Sequence, residues 1–224
     1  MLSRLTSLKM LMGSKERFLI LLSLIMGLLI LQPILGRFVA AQILMSIFLT
    51  AIGISMVHTI SSKKKHAIVG VFLAIVGIAS LWIQYVHPNK TIAVIGTFAT
   101  ILFTAVVIAV ILDFILKSEQ VSREIIYAAI LLYLLAALMW AHLYTFLELV
   151  DPASFNIDIS QANVNLIEFK YYSFVTITTL GYGDILPVTE VAKAFSVLEA
   201  VVGQLYLVVA VAWLVGMHVS SRPR

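Results

Sequence analysis

The chain of 224 residues contains no cysteine and few charged residues. Without cysteine it has no disulfides, no thiol nucleophiles and no thiolate metal ligands. Charged residues make up 12% of the chain and hydrophobic residues 62%, which gives a mean hydropathy of +1.07. A soluble domain of this size could not bury so much apolar surface. The composition therefore predicts an integral membrane protein, and it gives no support for nucleic-acid binding.

Long apolar runs divide the chain into candidate membrane spans. A helix needs about 20 apolar residues to cross a bilayer. Six runs approach or exceed that length, at residues 18 to 36, 38 to 60, 67 to 87, 91 to 116, 125 to 149 and 189 to 217. A shorter run, FKYYSFVTITTL, precedes the sixth and is too short to span. The pattern predicts an all-α membrane protein with six transmembrane helices and a re-entrant helix and loop between helices 5 and 6.

The distribution of Lys and Arg predicts the orientation. With the amino terminus inside, eleven of the fifteen basic residues lie on the cytoplasmic side. The remaining four lie outside: Arg37, Lys90, Lys170 and Lys193. This bias agrees with the positive-inside rule, so both termini are expected in the cytoplasm and the localisation is the cell membrane. Six acidic residues would then gather around the outer mouth: Glu148, Asp151, Asp158, Glu168, Asp184 and Glu190.

The motif TTLGYGD, residues 178–184, follows the short apolar run directly. In a bilayer every backbone polar group needs a partner, yet a stretch with two glycines does not favour a helix. Backbone carbonyls aimed at one axis can replace the hydration shell of a cation, and that arrangement requires dihedral angles that Gly181 and Gly183 adopt without penalty. The Thr179 hydroxyl could add one more oxygen. The motif therefore predicts a cation-binding strip of backbone.

The stretch YYSFVTITTLGYGD, Tyr171 to Asp184, resembles the pore signature of the potassium channels. The following helix, with EAVVGQLYLVVAVAWLVG, is similar to the pore-lining helix of bacterial members. The resemblance implies two domains: a four-helix membrane domain at residues 1–120 and a pore domain at residues 121–224. It also implies a homotetramer in the lipid bilayer with K⁺ as the permeant ion and no cofactor.

Carried over position by position, the resemblance assigns the ion sites to the carbonyls of Thr179, Leu180, Gly181 and Tyr182, with Gly183 completing the filter. Thr178 would lie at the inner end of the pore helix. The family most often has valine where Leu180 stands, which should alter the packing behind the filter. Some members have glutamate where Val175 stands, paired with the aspartate of the motif.

Three further residues are candidates for support and gating. Tyr171 matches an aromatic position that can hydrogen-bond the aspartate, so a contact between Tyr171 and Asp184 is expected. Glu199 lies within the sixth span and requires a partner or a proton, so it is either a protonated structural residue or a pH-sensitive element. Gly203 matches the hinge glycine of the family, or it permits close helix packing. Below it, Leu207, Val211 and Leu214 could form an apolar constriction.

The fourth span has no Lys or Arg between Lys90 and Lys117, so it lacks the arginines of a voltage sensor. Asp113 and Lys117, four residues apart, are expected to pair. The sequence thus predicts a potassium-selective channel without steep voltage dependence, not an enzyme, with the regulatory ligand or subunit unknown. Alternatives are a less selective cation channel, a nonconducting subunit and an intramembrane serine protease. For the protease His142 would have to act as the base, and the chain has no G-x-S-G motif.

Overall fold

In a computed structural model, the described residues are 17–35, 39–60, 64–118, 120–157 and 166–220. This part of the chain forms seven helices. In chain order they are α1 (Arg17–Leu35), α2 (Val39–Ile60), α3 (Lys64–Val86), α4 (Lys90–Leu116), α5 (Arg123–Val150), α6 (Leu166–Ile177) and α7 (Glu190–Ser220). Arg37, Asp158 and the basic residues near both termini, which entered the orientation argument, lie outside the described residues.

Local sequence explains where two of the long helices begin. Asn89 caps α4, because its side chain accepts a hydrogen bond from the amide of Ile92 at 3.2 Å. Ser122 does the same for α5 through the amide of Ile125 at 3.4 Å. These caps satisfy backbone donors that the first helical turn leaves without intrahelical partners.

Six of the seven helices coincide with the six predicted spans. Among the described residues, three helices are long and apolar enough to cross a membrane. They are Lys90–Leu116, Arg123–Val150 and Glu190–Met217, which correspond to the fourth, fifth and sixth predicted spans. For α1, α2 and α3, membrane crossing stays a prediction. The short α6, 12 residues long, begins three residues before the predicted half-helix and ends at Ile177.

Helix α5 lies at the centre of the packing. Helices α1 to α4 contact one another in sequence, and both α1 and α4 pack against α5. On another side, α5 contacts α6 and α7, which also contact each other. The buried side chains form two clusters, one shared by α1–α5 and one shared by α5, α6, α7 and the segment around Phe155. The short helix α6 is therefore held by α5 and α7.

Helix α7 is the least covered of the three candidate spans. Only 6% of its most apolar stretch is buried, against 56% for α5 and 39% for α4. Valine and leucine side chains along most of its length are exposed, among them Val201, Leu205, Val208 and Val211. Apolar surface on this scale requires lipid or further protein chains to cover it.

Candidate functional site

Residues 178–184 follow the carboxyl end of α6 without regular secondary structure, and backbone hydrogen bonds anchor the first of them to that helix. The amides of Leu180 and Gly181 both donate to the carbonyl of Val175, at 2.9 and 3.2 Å, and the amide of Thr179 donates to Thr176 at 2.9 Å. The Thr178 hydroxyl donates to the carbonyl of Phe174 at 2.6 Å. The first amides of the strip therefore face back toward α6 and occupy its last carbonyls.

The backbone of the strip alternates in handedness. The φ angle is positive at Thr179 (59°), Gly181 (56°) and Gly183 (77°), while Leu180 and Tyr182 between them do not lie in that region. Alternation of left- and right-handed residues places successive N–H groups on one side of the chain and successive carbonyls on the other. Because the first N–H groups bind α6, such an alternation would direct the carbonyls away from that helix.

Thr179 is a β-branched residue with a positive φ, which costs on the order of 1–3 kcal/mol. Its hydroxyl donates to the carbonyl of Thr178 at 2.7 Å, and its amide is held by Thr176. The residues of the strip, 178–184, are all exposed. The strip is therefore anchored to α6, and its residues are exposed.

At the end of the strip that leads to α7, the Tyr171 hydroxyl donates to Asp184 Oδ2 at 2.7 Å, so the predicted contact is present. The rings of Tyr171 and Tyr182 also stack, with centroids 6.3 Å apart and planes within 9°. The hydrogen bond from Tyr171, together with the amide of Ile185 at 3.1 Å, holds the pKa of the Asp184 carboxyl below its usual range.

A second segment braces the residues that follow the strip. The side chain of Asn156 accepts from the amide of Leu186 at 2.6 Å and donates to the carbonyl of Asp184 at 3.3 Å. Backbone hydrogen bonds join Asn156 to Leu186 and Ser154 to Val188, with a bridge between Phe155 and Pro187. The loop after α5 thus fixes the position at which the chain enters α7.

The sequence predicts that Glu148 is one of the acidic residues around the outer mouth, but the structure buries its carboxylate. Its carboxylate is buried and accepts from the amides of Ala153 and Phe155 at 2.8 and 3.1 Å. Ala153 has a positive φ of 75°, so this turn is strained. Glu148 therefore stabilises the loop after α5 and contributes no exposed charge.

Glu199 lies buried behind α6, between α5 and α7. The Tyr144 hydroxyl donates to its Oε2 at 2.5 Å, and Ser173 Oγ lies 2.5 Å from its Oε1. Beside this group the hydroxyls of Tyr172 and Ser196 are joined at 2.7 Å. Glu199 therefore connects α5, α6 and α7 through buried polar contacts.

The proton count at Ser173 indicates the state of Glu199. Ser173 Oγ also lies 2.7 Å from the carbonyl of Ala137. A hydroxyl has one proton, and a carbonyl can only accept, so Ser173 donates to Ala137. If the contact with Glu199 Oε1 is also a hydrogen bond, the carboxyl carries the proton and donates it to Ser173. This arrangement favours the protonated, structural interpretation of Glu199.

Gly203 packs directly against the end of α6. A Cβ atom at Gly203 would lie 2.6 Å from Cγ1 and 2.7 Å from the carbonyl oxygen of Ile177. That carbonyl also accepts from the Tyr133 hydroxyl at 3.0 Å. Of the two interpretations of Gly203, the structure supports close packing; its role as a hinge stays a prediction.

Lys170, which the sequence places on the outer side of the membrane, has a buried side chain, with 4% of its surface exposed. It lines a cavity of about 120 Å³ with His142 and apolar side chains of α1 to α5. His142 Nδ1 donates to the carbonyl of Leu138 in its own helix at 2.6 Å, as expected for a packed side chain. Helix α6 therefore contributes a lysine side chain to the interior of the helix bundle.

Two smaller predictions can be compared with the structure. Lys117 and Asp113 form the expected pair, at 2.9 Å. The apolar row below Gly203 is not a single open face, because Leu207 and Val211 are exposed but Leu214 packs against the core shared with α1–α5. Leu214 is thus partly buried within one chain, and the constriction stays a prediction.

Comparison with known proteins supports a channel. Residues 128–219, less than half of the chain, match the family described as "Ion channel". No curated protein and no solved structure matches the chain. The family match and the apolar helices support a membrane protein that transports ions, and they point away from an enzyme.

Sequence patterns alone do not mark Gln204, Ser173 or Tyr144 as functional residues. Gln204 Nε2 donates to the Thr179 hydroxyl at 3.4 Å, next to the strip. The signal for Gln204 was available, since it is the one amide side chain of α7. Ser173 and Tyr144 gave no such signal, because Ser and Tyr occur in membrane helices without a special role.

Proposed function

We propose that this protein is a potassium-selective channel whose filter is formed by residues 179–183. The ligands would be the carbonyls of Thr179, Leu180, Gly181 and Tyr182, with the Thr179 hydroxyl at the inner end. The observation that carries the proposal is the alternation of φ along the strip, combined with amides anchored to α6. That geometry leaves a row of carbonyls on one open side, which is what a dehydrated cation requires.

The proposed assembly is a homotetramer around one central axis. One strip supplies one carbonyl to each layer of ligands, and a cation needs several oxygens around it, so several chains must converge. The apolar surface of α7 and the exposed strip support this arrangement, since the described part of one chain covers neither of them.

The proposed placement puts the strip at the outer half of the cell membrane, with both termini cytoplasmic. Helix α6 then directs its carboxyl end, which carries partial negative charge, toward the membrane centre, where a cation most needs stabilising. Asp184 at the outer end of the strip would raise the local concentration of cations.

Flux measurements with purified protein in liposomes test the proposal. We expect K⁺ and Rb⁺ to pass far faster than Na⁺, and native mass spectrometry to show four chains. Equal fluxes of Na⁺ and K⁺ would favour a less selective cation channel. A conducting monomer or dimer would contradict the tetramer, and the absence of any cation flux would contradict the channel itself.

A further inference from the structure

Two cavities meet inside the bundle that helices α1 to α6 form. The deep cavity, of about 120 Å³, has mostly apolar walls, among them the buried side chains of Ile52 and Phe103. The wide cavity, of about 680 Å³, has many polar side chains in its walls, among them Gln84 and Asn89 near the junction of α3 and α4. Four residues line both cavities: Gly77, Leu81, Thr100 and His142. The two spaces therefore form one crevice whose lining changes from polar to apolar with depth.

Lys170 brings an amino group to the deep cavity. It belongs to α6, whereas the other residues that line this cavity belong to α1 to α5. A cationic group among apolar walls is costly unless acceptors or a negative charge lie beside it. An ammonium group has three donors, so Lys170 can serve a contact within the chain and a ligand together. The cavity therefore suits a ligand that has an apolar body and an oxygen-bearing head of negative or no charge.

Hydrogen bonds beside Lys170 define the head group further. His142 Nδ1 donates to the carbonyl of Leu138, which leaves Nε2 of the neutral ring as an acceptor. The Thr100 hydroxyl donates its proton to the carbonyl of Gly96 at 2.8 Å, so toward the cavity its oxygen can only accept. The crevice thus presents a donor on α6 and acceptors on α4 and α5. A carboxylic acid matches this set, because it offers an oxygen to the donor and a proton to an acceptor.

We propose that this crevice is a binding site for short-chain carboxylic acids. A carboxyl oxygen accepts from Lys170, the carboxyl proton lies toward His142 Nε2, and the alkyl chain fills the deep cavity beside Ile52 and Phe103. Apolar cavities of this kind bind small apolar groups readily. A volume of 120 Å³ has room for about eight to twelve water-sized groups, which is the size of a six-carbon acid.

The site is connected to the strip through α6. Lys170 lies about two turns before Ile177, the residue from which the strip departs. A ligand held by Lys170 therefore acts on the helix that anchors the strip, and its binding should alter K⁺ flux. The binding itself goes beyond the proposed function and does not depend on it, whereas the effect on flux does.

Isothermal titration calorimetry with the purified full-length protein in detergent micelles tests the site, with empty micelles as the blank. The probes are the sodium salts of acetic, butyric, hexanoic and octanoic acid. We expect the affinity to rise about fourfold for each added CH₂ group up to hexanoate and no further for octanoate, which exceeds the cavity. Hexylammonium should not bind, because Lys170 repels a second cation.

A variant of Lys170 tests the head group. Lys170→Met keeps the length of the side chain and removes its donors, so the affinity for hexanoate should fall about tenfold or more. The matched control is Lys193→Met, because Lys193 lies on the exposed end of α7, where it pairs with Glu190 at 2.8 Å. That variant should bind hexanoate like the unmutated protein.

A variant of Ile52 tests the alkyl chain. Ile52→Phe places a larger side chain in the wall of the deep cavity, so the tightest ligand should change from hexanoate to butyrate. The matched control is Ile54→Phe on the same helix, because Ile54 is 62% exposed and does not line the cavity. Hexanoate should remain the tightest ligand of that variant.

The outcomes separate the site from the channel. The absence of saturable hexanoate binding to the unmutated protein overturns the site, and so does hexanol binding as tightly as hexanoate. If Lys170→Met does not fold, Ile52→Phe decides, because an unchanged preference for hexanoate also overturns the site. In liposomes, hexanoate should change the K⁺ flux of the unmutated protein, and a constant flux would overturn the connection through α6. A protein that binds hexanoate and passes no K⁺ contradicts the proposed function alone.

Discussion

Gly203 of α7 lies against the last residue of α6, Ile177, with no room for a side chain between them. The distance from a Cβ atom at Gly203 to the carbonyl oxygen of Ile177 would be 2.7 Å. The same carbonyl binds the Tyr133 hydroxyl from α5. Three helices therefore meet at the residue from which the strip of carbonyls departs.

Gly203→Ala should destabilise the assembled protein, because the added methyl group forces α7 away from a backbone atom that cannot yield. Over-packing of this kind costs about 1–3 kcal/mol. We expect a lower temperature of tetramer dissociation and weaker discrimination between K⁺ and Na⁺, measured on the same preparation.

Gly216→Ala is the matched control, because a Cβ atom at Gly216 meets nothing within 4 Å in the described chain. It lies on the same helix, where alanine is favoured over glycine. A Gly203→Ala protein with unchanged stability and selectivity but altered open probability would favour the hinge interpretation instead.

Glu199→Gln should behave like the unmutated protein, because the amide reproduces a protonated carboxyl: its oxygen accepts from Tyr144 and its NH₂ group donates to Ser173. Glu199→Leu leaves the buried Tyr144 hydroxyl without this acceptor, which costs about 1–3 kcal/mol. The measurement is the thermal unfolding temperature of the unmutated protein, Glu199→Gln and Glu199→Leu.

Infrared spectroscopy gives an independent check on Glu199. A carbonyl band of a protonated carboxyl should be present in the unmutated protein and absent from Glu199→Gln. If Glu199→Gln is as unstable as Glu199→Leu and no such band is found, Glu199 is ionised and the proton assignment at Ser173 is wrong.

The positions of the helices followed well from the sequence, because long apolar runs and the residues that cap them are local signals. All six runs coincide with helices, and the contact between Tyr171 and Asp184 was expected from the motif. The hydrogen-bond partners of buried polar residues could not be predicted from the sequence in the same way. Ser173, Tyr144 and Glu199 are far apart in sequence, and only the packing of α5, α6 and α7 brings them together.

Lys170 and Glu148 illustrate why counting charges along the chain misplaces some of them. Glu148 was assigned to the outer mouth from its position at the end of the fifth span and Lys170 to the outer side from its position between the fifth and sixth spans, yet both side chains are buried. Glu148 turns back to bind two amides of its own loop, and Lys170 points from α6 into the helix bundle. Side-chain direction depends on how α6 is seated, and the hydrophobicity of the runs does not determine that.

The hydrogen bond from Tyr171 should protect the outer end of the filter against acid. Because this bond lowers the pKa of Asp184 below the ordinary 3.8, the stabilisation by the carboxylate is complete above that value and is lost only as pH falls through the lower pKa of the folded protein. K⁺ flux should therefore stay constant as the outer pH is lowered to about 4.

In Tyr171→Phe the pKa of Asp184 should return toward its usual range, so the loss of flux should begin at a higher outer pH. Asp184→Asn should remove this pH dependence altogether. Identical pH profiles for the unmutated protein and Tyr171→Phe would show that the hydrogen bond has no influence on the filter.

Gly181→Ala should abolish the preference for K⁺ over Na⁺. A Cβ atom at Gly181 meets nothing within 4 Å, so the effect arises from its φ of 56°, where an L-residue costs about 1–2 kcal/mol. Leu180→Val is the control, because Leu180 does not have a positive φ angle. Equal selectivity in Gly181→Ala and the unmutated protein would exclude Gly181 from the filter.

Open probability should depend only weakly on voltage. Between residues 17 and 117, Lys and Arg occur only at helix ends or between helices, and Lys117 at the end of α4 is paired with Asp113. Moving one elementary charge across the membrane contributes about 2.3 kcal/mol per 100 mV, so steep gating requires several such charges within the spans. Movement of α1 to α4 would carry almost no charge across the membrane.

In bilayer recordings from about −120 to about +120 mV in symmetric K⁺, we expect a shallow conductance–voltage relation set by ions in the filter. Neutralising Lys117 by Lys117→Gln should leave the relation unchanged. A steep, saturating curve with an apparent gating charge of several units would contradict the prediction, because no residues in these spans could supply that charge.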